Sequence, residues 1–285
     1  NELDLMDLKQ VSYWFAENKP TIVVLAAAKV GGILANASCP ADFILNNLKI
    51  QTNVIEASWK FNIKRLVFLA SSCIYPKHAP QPILEDYLLS SNLEQTNECY
   101  AVSKIAGLKL CQALRDQYGF DAITLMPTNL YGPKDNYKDN DSHVMAALIK
   151  KFSLAVHLNY NKVVCWGSGK PLREFMHVDD LAEAVVFALE YWDPNSKKAP
   201  QDKDGKPLTY LNVGTGKEIS IKLLAEEIAR LVKFKGEIIW DKSKPDGTPR
   251  KKLSIEKFKQ LGWSSQIKLT EGLKMTLKNF QAEYV

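Results

Sequence analysis

Leu66-Val-Phe-Leu-Ala-Ser-Ser-Cys73 is an apolar run that ends in small polar side chains, a pattern typical of a strand buried inside a parallel sheet. Downstream, Tyr100-Ala-Val-Ser-Lys104 lies on a predicted helix, where a spacing of four residues places the Tyr and the Lys on one face. An ammonium group beside a phenol favours the phenolate, so we expect Lys104 to lower the pKa of Tyr100. A hydroxyl at the strand end, on Ser71, would then hold a carbonyl oxygen against this phenol.

Strands and helices alternate through the first half of the chain. Apolar runs predict strands over residues 21–26, 65–70 and 122–126, and the first of them is expected to be buried on both faces. Longer amphipathic segments predict helices over residues 40–62 and 100–118, and Asp7 is the predicted cap of an earlier helix that stops before Pro20. This alternation predicts an α/β fold built from βαβ units around a parallel sheet.

Three loops with small, polar or glycine residues each follow one of these strands, at residues 26–32, 71–73 and 127–133. The carboxyl ends of parallel strands meet at one edge of a sheet, and ligands bind there. We therefore expect the three loops to line the same edge. A Tyr-x-x-x-Lys spacing alone also arises on an amphipathic helix with an exposed Lys, and the coincidence of the loops favours the functional interpretation.

The second half of the chain predicts further helices and strands. Helices are expected over residues 144–156 and 178–191, strands over residues 163–169, 208–213 and 237–240, a helix capped near Ser220, and two short helices at the C-terminus. Residues 193–207 are rich in polar and turn-forming side chains and predict a surface loop, and a further loop is expected over residues 242–252.

The composition narrows the class of protein. The chain has 285 residues, of which 46% are hydrophobic and 24% charged, as expected of a globular protein with a sizeable core. A net charge of +5 with dispersed lysines does not favour a nucleic-acid-binding protein. Five cysteines without a Cys-x-x-Cys pair argue against a disulfide framework and a zinc site, so we expect a reduced, cytoplasmic protein without metal. Neither a membrane span nor a signal peptide is expected.

Taken in their order along the chain, these features resemble the GDP-L-fucose synthases, a family of extended short-chain dehydrogenase/reductases. The stretches that carry the resemblance are Ser71-Ser-Cys-Ile-Tyr-Pro-Lys77, Met126-Pro-Thr-Asn-Leu-Tyr-Gly-Pro133, Arg173-Glu-Phe-Met-His-Val-Asp-Asp180, and residues 26–33, 98–107, 142–144, 166–169 and 243–251. The resemblance implies a Rossmann-like parallel sheet with a smaller α/β domain for the substrate. It also implies NADPH-dependent 3,5-epimerisation and 4-reduction of GDP-4-keto-6-deoxy-D-mannose to GDP-L-fucose.

Catalytic roles follow from the same resemblance. It implies Cys73 and His143 as the acid/base pair for inversion at C3 and C5, and a thiol and an imidazole can both exchange protons near neutral pH. Ser71 and Tyr100 would hydrogen-bond the C4 oxygen, and Tyr100 would donate the proton. Lys104 would bind the nicotinamide ribose.

Binding contacts are implied as well. Cofactor contacts are implied for Ala26, Leu69, Ala70, Ser71, Ser72, Lys104, Pro127, Thr128, Asn129, Leu130 and His143. Contacts with the GDP-sugar are implied for Lys151, Trp166, Arg173 and Asp246, and no residue is implied as a metal ligand. Well-known members of the family have Arg where this chain has Lys151, which supplies a point charge instead of a planar fork.

The resemblance further implies how the chain is divided and assembled. An NADP-binding domain is expected over residues 1–132, returning at residues 178–213, with a substrate domain over residues 133–177 and 214–285. A homodimer is implied through the helices at residues 40–62 and 100–118.

The sequence departs from the family in one respect. Extended members begin with a strand and a Gly-x-x-Gly-x-x-Gly turn that holds the cofactor pyrophosphate, whereas Gly31-Gly32 belongs to a different loop. We therefore expect that about one βαβ unit is missing before Asn1, that apolar sheet surface is exposed, and that this form is inactive. Two alternatives remain open: a nucleotide-sugar 4-epimerase with tightly held NAD, and a non-catalytic dinucleotide-binding module.

Overall fold

The computed structural model of the chain describes residues 3–139, 141–244 and 246–285. Asn1 and Glu2 of the N-terminal stretch, Asn140, and Pro245 of the 243–251 stretch lie outside the described residues. The described helices are α1 (Leu8–Asn18), α2 (Ile33–Ser38), α3 (Pro40–Lys60), α4 (Glu98–Tyr118), α5 (Val144–His157), α6 (Val178–Tyr191), α7 (Ile221–Leu231), α8 (Glu256–Gln260) and α9 (Leu269–Tyr284). The described strands are β1 (Ile22–Leu25), β2 (Arg65–Leu69), β3 (Ala122–Pro127), β4 (Asn129–Tyr131), β5 (Lys162–Trp166), β6 (Leu172–His177), β7 (Tyr210–Val213), β8 (Glu218–Ser220), β9 (Glu237–Asp241) and β10 (Arg250–Lys251).

The central sheet contains β1, β2, β3 and β7 in that order, with every neighbouring pair parallel. The predicted α/β fold with a parallel sheet is therefore confirmed. Successive side chains of a strand point to opposite faces, so Leu66 and Phe68 of β2 pack with α3 and α4, whereas Val67 packs with α6. Helices thus cover both faces of β2, and the carboxyl edge of the sheet is left to the loops.

The first strand departs from its prediction. Only Leu25 of β1 is buried, while Ile22 and Val24 are 49% and 42% exposed. In the described residues, β1 is the outermost strand of the sheet and pairs along one edge, with β2. The prediction that this strand is buried on both faces is wrong, because burial depends on neighbours that an apolar run does not specify.

A second, mixed sheet continues from the first. β3 leads through Thr128 into β4, which joins the order β10-β6-β4, and β8 pairs antiparallel with β6. The predicted loop over residues 127–133 is therefore wrong for β4, and the predicted loop over residues 242–252 contains the short strand β10. Both strands exist through pairing with β6, a distant segment, and local sequence patterns do not show such pairing.

Several other elements agree with prediction in their bounds or in their capping residues. The bounds of α6 are confirmed, Asp7 caps α1, and the Ser220 hydroxyl caps α7 by accepting from the Leu223 backbone N–H at 3.1 Å. The parallel pair β5–β9 packs with α5, α7 and α9 around its own core. One expectation fails, because α9 has 16 residues and is not short. Three further elements were not predicted: the strands β6 and β8, and α2, whose six residues are too few to show a helical period.

Candidate active site

Strand β2 ends at Leu69, and the chain then turns through a 3₁₀ helix over Ser72–Ile74. Ser71 caps this turn, since its hydroxyl accepts a hydrogen bond from the backbone N–H of Cys73 at 3.2 Å. The first turn of α4 brings Tyr100 to the same place, where the Ser71 hydroxyl lies close enough to the phenol to oppose the rise of its pKa. The structure therefore brings together the strand end and the helix face that the sequence singled out.

Lys104 does not have the predicted effect on Tyr100. Its Nζ atom donates to the Leu69 carbonyl at 2.9 Å and lies 6.0 Å from the centre of the phenol ring. Burial raises the pKa of Tyr100 above its ordinary value, and the nearby Cys73 adds to this shift. Burial also lowers the pKa of Lys104 to about 8. The prediction of a lowered Tyr100 pKa is wrong, because desolvation outweighs a cation that bonds a carbonyl instead of the phenol.

Two donors approach the sulfur of Cys73. The Nδ2 atom of Asn97 lies 3.4 Å from Sγ, and the Nζ atom of Lys251 lies 3.5 Å from it. Burial raises the pKa of this thiol, but the charge and hydrogen bond of Lys251, the Ser71 hydroxyl and the charge of Arg173 together bring it below its ordinary value. Cys73 as a whole residue is only half-buried.

His143 is the residue that precedes α5, at its N-cap position. The residue is exposed. Surrounding protein atoms nevertheless displace water from the imidazole and lower its pKa, while the charges of Asp135 and Asp141 oppose this shift. The charge of Lys251 contributes to the pKa shifts of both His143 and Cys73, so the ammonium lies near both side chains.

The two glycines of the loop after β1 bring that loop against the segment that leads to His143. The backbone N–H of Gly32 donates to the Asp141 carbonyl at 2.9 Å. A Cβ atom on Gly32 would lie 2.7 Å from the Ser142 carbonyl oxygen, and one on Gly31 would meet the Asp141 carboxylate. The absence of side chains here permits a close approach between two loops of the site.

The predicted cofactor residues follow three neighbouring strands: Ala26 after β1; Leu69, Ala70, Ser71 and Ser72 at the end of β2; and Pro127, Thr128, Asn129 and Leu130 at the end of β3. Two of the polar side chains are already engaged. Thr128 Oγ1 and Asn129 Nδ2 donate to the Glu174 carbonyl at 3.1 and 2.8 Å. These bonds attach the end of the central sheet to β6.

The predicted substrate residues form a row that leads towards the thiol. Lys151 Nζ lies 5.3 Å from the centre of the Trp166 ring, which is 43% exposed. The Asp246 carboxylate accepts from the backbone N–H and the hydroxyl of Ser168, each at 2.7 Å. Burial lowers the pKa of Arg173, and the charges of Cys73 and Asp246 lie close enough to oppose this shift. The structure thus brings these four residues into one row that leads to Cys73.

Sequence reasoning did not identify Lys251 or Asn97 as neighbours of the thiol. Lys251 belongs to the 243–251 stretch that carries the resemblance, but it is 178 residues from the cysteine in the chain. Asn97 is the N-cap residue of α4, and its side chain makes no capping hydrogen bond. An asparagine before a helix is an ordinary cap in sequence terms, so no local signal marked its contact with sulfur.

The described residues include neither a membrane-spanning helix nor a cluster of metal-binding side chains. Within residues 3–139, 141–244 and 246–285, no helix has both the length and the apolar character that crossing a bilayer requires. The same residues contain no group of three or more His, Cys, Asp or Glu side chains placed to hold a metal ion.

Known proteins match this chain over most of its length. The profile of the NAD dependent epimerase/dehydratase family matches residues 1–200. The chain belongs to this family. Among its relatives, a probable GDP-L-fucose synthase 1 from Oryza sativa subsp. japonica is 54% identical over 97% of this chain and 81% of that protein. The GDP-L-fucose synthase of Escherichia coli K12 is 48% identical over 98% of this chain and 86% of its own length.

A solved structure of a family member matches as well. The GDP-mannoheptose C4 reductase MlghC from Campylobacter jejuni, with NADP bound, is 36% identical with a TM-score of 0.86, over 98% of this chain and 87% of that one. The resemblance to GDP-L-fucose synthases inferred from the motifs is confirmed by these identities. Nothing in them supports the expectation that this form of the chain is inactive.

Proposed function

We propose that the chain catalyses NADPH-dependent 3,5-epimerisation and 4-reduction of GDP-4-keto-6-deoxy-D-mannose to GDP-L-fucose. One observation carries this proposal: the Ser71–Tyr100 pair for a carbonyl lies beside the cation-flanked thiol of Cys73. A simple reductase needs the pair alone, whereas inversion of carbon centres beside a ketone also needs a base. The identity of 48% to the Escherichia coli GDP-L-fucose synthase supports the same substrate.

The residues at the carboxyl edge of the sheet fit the nicotinamide end of NADP(H). An ammonium group has three donor protons, and the described partner of Lys104 Nζ is the Leu69 carbonyl, so donors remain for ribose hydroxyls. Ala26, which is exposed, and the partly exposed Leu130 offer small or apolar surface nearby. The related Campylobacter jejuni reductase holds NADP. When bound, NADPH supplies the hydride for C4.

Tyr100 supplies the proton for the C4 oxygen. Its raised pKa keeps the phenol protonated at neutral pH, so it reaches the substrate as a donor. The Ser71 hydroxyl would bind the same oxygen and hold it against the phenol. As negative charge develops on that oxygen, the proton passes to it from Tyr100. The ammonium of Lys104, 6.0 Å from the ring, then stabilises the phenolate that remains.

Cys73 and His143 would invert C3 and C5. The C4 ketone makes the protons on these carbons acidic, so a base can remove each one and an acid can return it to the other face. Cys73 is the better base, because cations surround its sulfur. A protonated His143 is a stronger acid than an ordinary imidazolium, because burial destabilises its charged form.

The row that ends at Arg173 would bind the nucleotide. Arg173 can hold diphosphate oxygens in two parallel hydrogen bonds, and the exposed Trp166 ring can lie flat against a base or sugar. Lys151 adds positive charge beside that ring. Asp246 fixes the turn at Ser168, and we include it in the substrate site through that turn.

Three further features belong to this proposal. We divide the chain into an NADP-binding domain, residues 1–132 and 178–213, and a substrate domain, residues 133–177 and 214–285. Exposed apolar side chains on α3 and α4, such as Leu45 and Val102, support a homodimer through these helices. The free thiol of Cys73 suits a reducing compartment and supports a cytoplasmic reaction as part of this proposal.

A spectrophotometric assay tests the reaction. On adding GDP-4-keto-6-deoxy-D-mannose to the chain with NADPH, the absorbance of NADPH is expected to fall in proportion to the GDP-L-fucose formed. Tyr100→Phe should lower kcat by roughly 10²- to 10⁴-fold with little change in KM, since the phenol acts in the transition state. Tyr118→Phe, on the exposed end of the same helix, is the matched control and should retain full activity.

The assay also separates the alternatives. A nucleotide-sugar 4-epimerase would convert its sugar without net consumption of NADPH. A non-catalytic module would quench its tryptophan fluorescence on binding NADPH and leave the absorbance unchanged. Either result would contradict the proposed reaction.

A further inference from the structure

The side chain of Lys251 contacts the sulfur of Cys73. A lysine that served only to bind the substrate would not need this contact. Nζ of Lys251 lies 3.5 Å from Sγ, within the range of a hydrogen bond to sulfur. The amide of Asn97 approaches the same sulfur at 3.4 Å. Both groups present N–H donors, so the sulfur acts as the acceptor in both contacts. Two N–H donors beside one sulfur, one of them charged, are surroundings that stabilise a thiolate.

The backbone on both sides of Lys251 is firmly fixed. Lys251 pairs in parallel register with Arg173 of β6. The next residue, Lys252, donates its backbone N–H to Gln81 Oε1 at 2.9 Å, and its carbonyl accepts from Ile83 at 2.8 Å. Leu253 donates its backbone N–H to the buried carboxylate of Glu174 at 2.9 Å. These anchors fix the backbone from which the Lys251 side chain extends, so its contact with sulfur does not depend on a mobile loop.

The positive charges around this contact favour a negative charge on the sulfur. Lys251 and Arg173 are neighbours on adjacent strands, where like charges destabilise each other. Arg173 is partly balanced by Asp246 and by Glu94, which itself pairs with Lys77 at 2.9 Å. Among the described residues, no carboxylate lies within ion-pair distance of Lys251. Its remaining polar contact is the sulfur.

We propose that Lys251 is a positioning residue for the epimerisation: its ammonium, held 3.5 Å from Sγ, keeps Cys73 as a thiolate that is ready to act as the base. This inference rests on the proposed function for the role of the thiolate, but the state of the thiol itself is a property of the chain alone. Five other groups lie near the same sulfur or the same amine: Ser71, Asn97, Arg173, Tyr100 and His143.

The proton balance is simple. The thiolate takes the proton from the carbon beside the ketone, which gives a neutral thiol and an enolate of the sugar. The negative charge moves from sulfur to the enolate oxygen, and Lys251 remains an ammonium throughout. An acid on the opposite face then protonates the carbon and restores the ketone.

Alkylation of the thiol tests the proposal without substrate or cofactor. The folded chain is treated with iodoacetamide over a range of pH, and modification of each cysteine is followed by mass spectrometry of its peptide. Iodoacetamide is uncharged, so its approach does not itself depend on Lys251. Exposed Cys39 serves as the reference thiol, and buried Cys111 reports unfolding if it becomes labelled.

Lys251→Met is expected to lower the rate of Cys73 alkylation at pH 7 by roughly tenfold, because an ammonium in contact with a thiol favours the thiolate. Lys252→Met removes the same charge from the adjacent, equally half-buried residue. It should change the rate by less than about twofold, since the charge of Lys252 is not in contact with the sulfur and is screened over the greater distance. Lys251→Arg should restore most of the wild-type rate, because the positive charge is kept.

The outcomes separate this inference from the proposed function. An unchanged Cys73 rate in Lys251→Met would overturn the inference, and a rise in KM for the GDP-sugar alone would make Lys251 a diphosphate anchor. If Lys251→Met exposes Cys111, failure of Lys251→Arg to retain rapid alkylation in a folded chain would overturn it equally. Consumption of NADPH tests the reaction independently, so either idea can fail while the other stands.

Discussion

Lys104 and Lys251 approach the Ser71–Cys73 turn from two sides, Lys104 from α4 and Lys251 from β10. Lys104 is 3% exposed and donates to a backbone carbonyl, and burial lowers its own pKa to about 8. Lys251 is half-buried and touches the sulfur of Cys73, whose pKa falls below its ordinary value in spite of burial. The pKa of Tyr100, the neighbour of Lys104, is therefore raised by burial, whereas the pKa of Cys73, the neighbour of Lys251, is lowered.

The difference lies in what each ammonium contacts. A cation shifts the pKa of a neighbour strongly when the two are in direct contact, and desolvation dominates when they are not. Lys104 lies 6.0 Å from the ring of Tyr100, so burial controls both groups and keeps the phenol protonated. Lys251 is in contact with its neighbour and so favours ionisation. In the proposed reaction, Tyr100 is therefore suited to donate a proton, and Cys73 is suited to accept one.

The largest expected effect comes from Lys104→Met. Reduction should fall by at least roughly a hundredfold, since the ribose contact and the stabilisation of the phenolate are both lost. The variant should nevertheless be more stable at pH 7 by up to about 3 kcal/mol, because the wild type carries a buried ammonium with a pKa of about 8. Calorimetry at several pH values measures this gain.

The sign of the stability effect depends on pH. Below about pH 8, Lys104 is charged in both the folded and the unfolded chain, so the variant has its full advantage. Between pH 8 and the ordinary value of 10.5, the unfolded chain binds the additional proton, and the advantage shrinks to zero. Lys109→Met, on the exposed face of the same helix, is the control and should show neither effect. Equal stability of the Lys104 variant and wild type at pH 7 would remove burial as the cause.

The pH dependence of the reaction gives an intermediate effect. The value of kcat/KM for NADPH should fall above about pH 8, approaching tenfold per pH unit, as Lys104 loses its proton. Lys104→Arg stays charged in this range, so its activity should be lower but level across the same pH values. A wild-type profile that stays level to pH 9.5 would show that the charge of Lys104 is dispensable for reduction.

The smallest expected effect sharpens the other half of the comparison. Asn97→Ala removes the amide that lies 3.4 Å from the sulfur but leaves the cation in place. One neutral hydrogen bond contributes about 1 kcal/mol, so the alkylation rate of Cys73 should fall by about fivefold at pH 7, less than in Lys251→Met. Site-resolved alkylation measures the ranking, and an Asn97 effect equal to that of Lys251 would mean that charge does not set the state of the thiol.

Much of the fold followed from sequence patterns. The apolar run at residues 66–69 and the spacing of Tyr100 and Lys104 were sufficient to predict a parallel strand and a helix whose ends meet, because both signals are local periodicities. The bounds of α6 and the caps Asp7 and Ser220 were predicted for the same reason. The strands β4 and β10 were not, since each is held by hydrogen bonds to β6.

The sequence by itself determined which chemical groups are present and which of them share a strand end or a helix face. It named Ser71, Cys73, Tyr100 and His143, but it gave the wrong direction for the pKa of Tyr100. Tertiary structure decided the charge each group carries, because desolvation and contact distance depend on chain segments that fold together from far apart. The ammonium that reaches the sulfur lies 178 residues from it in the chain, and only folding brings the two together.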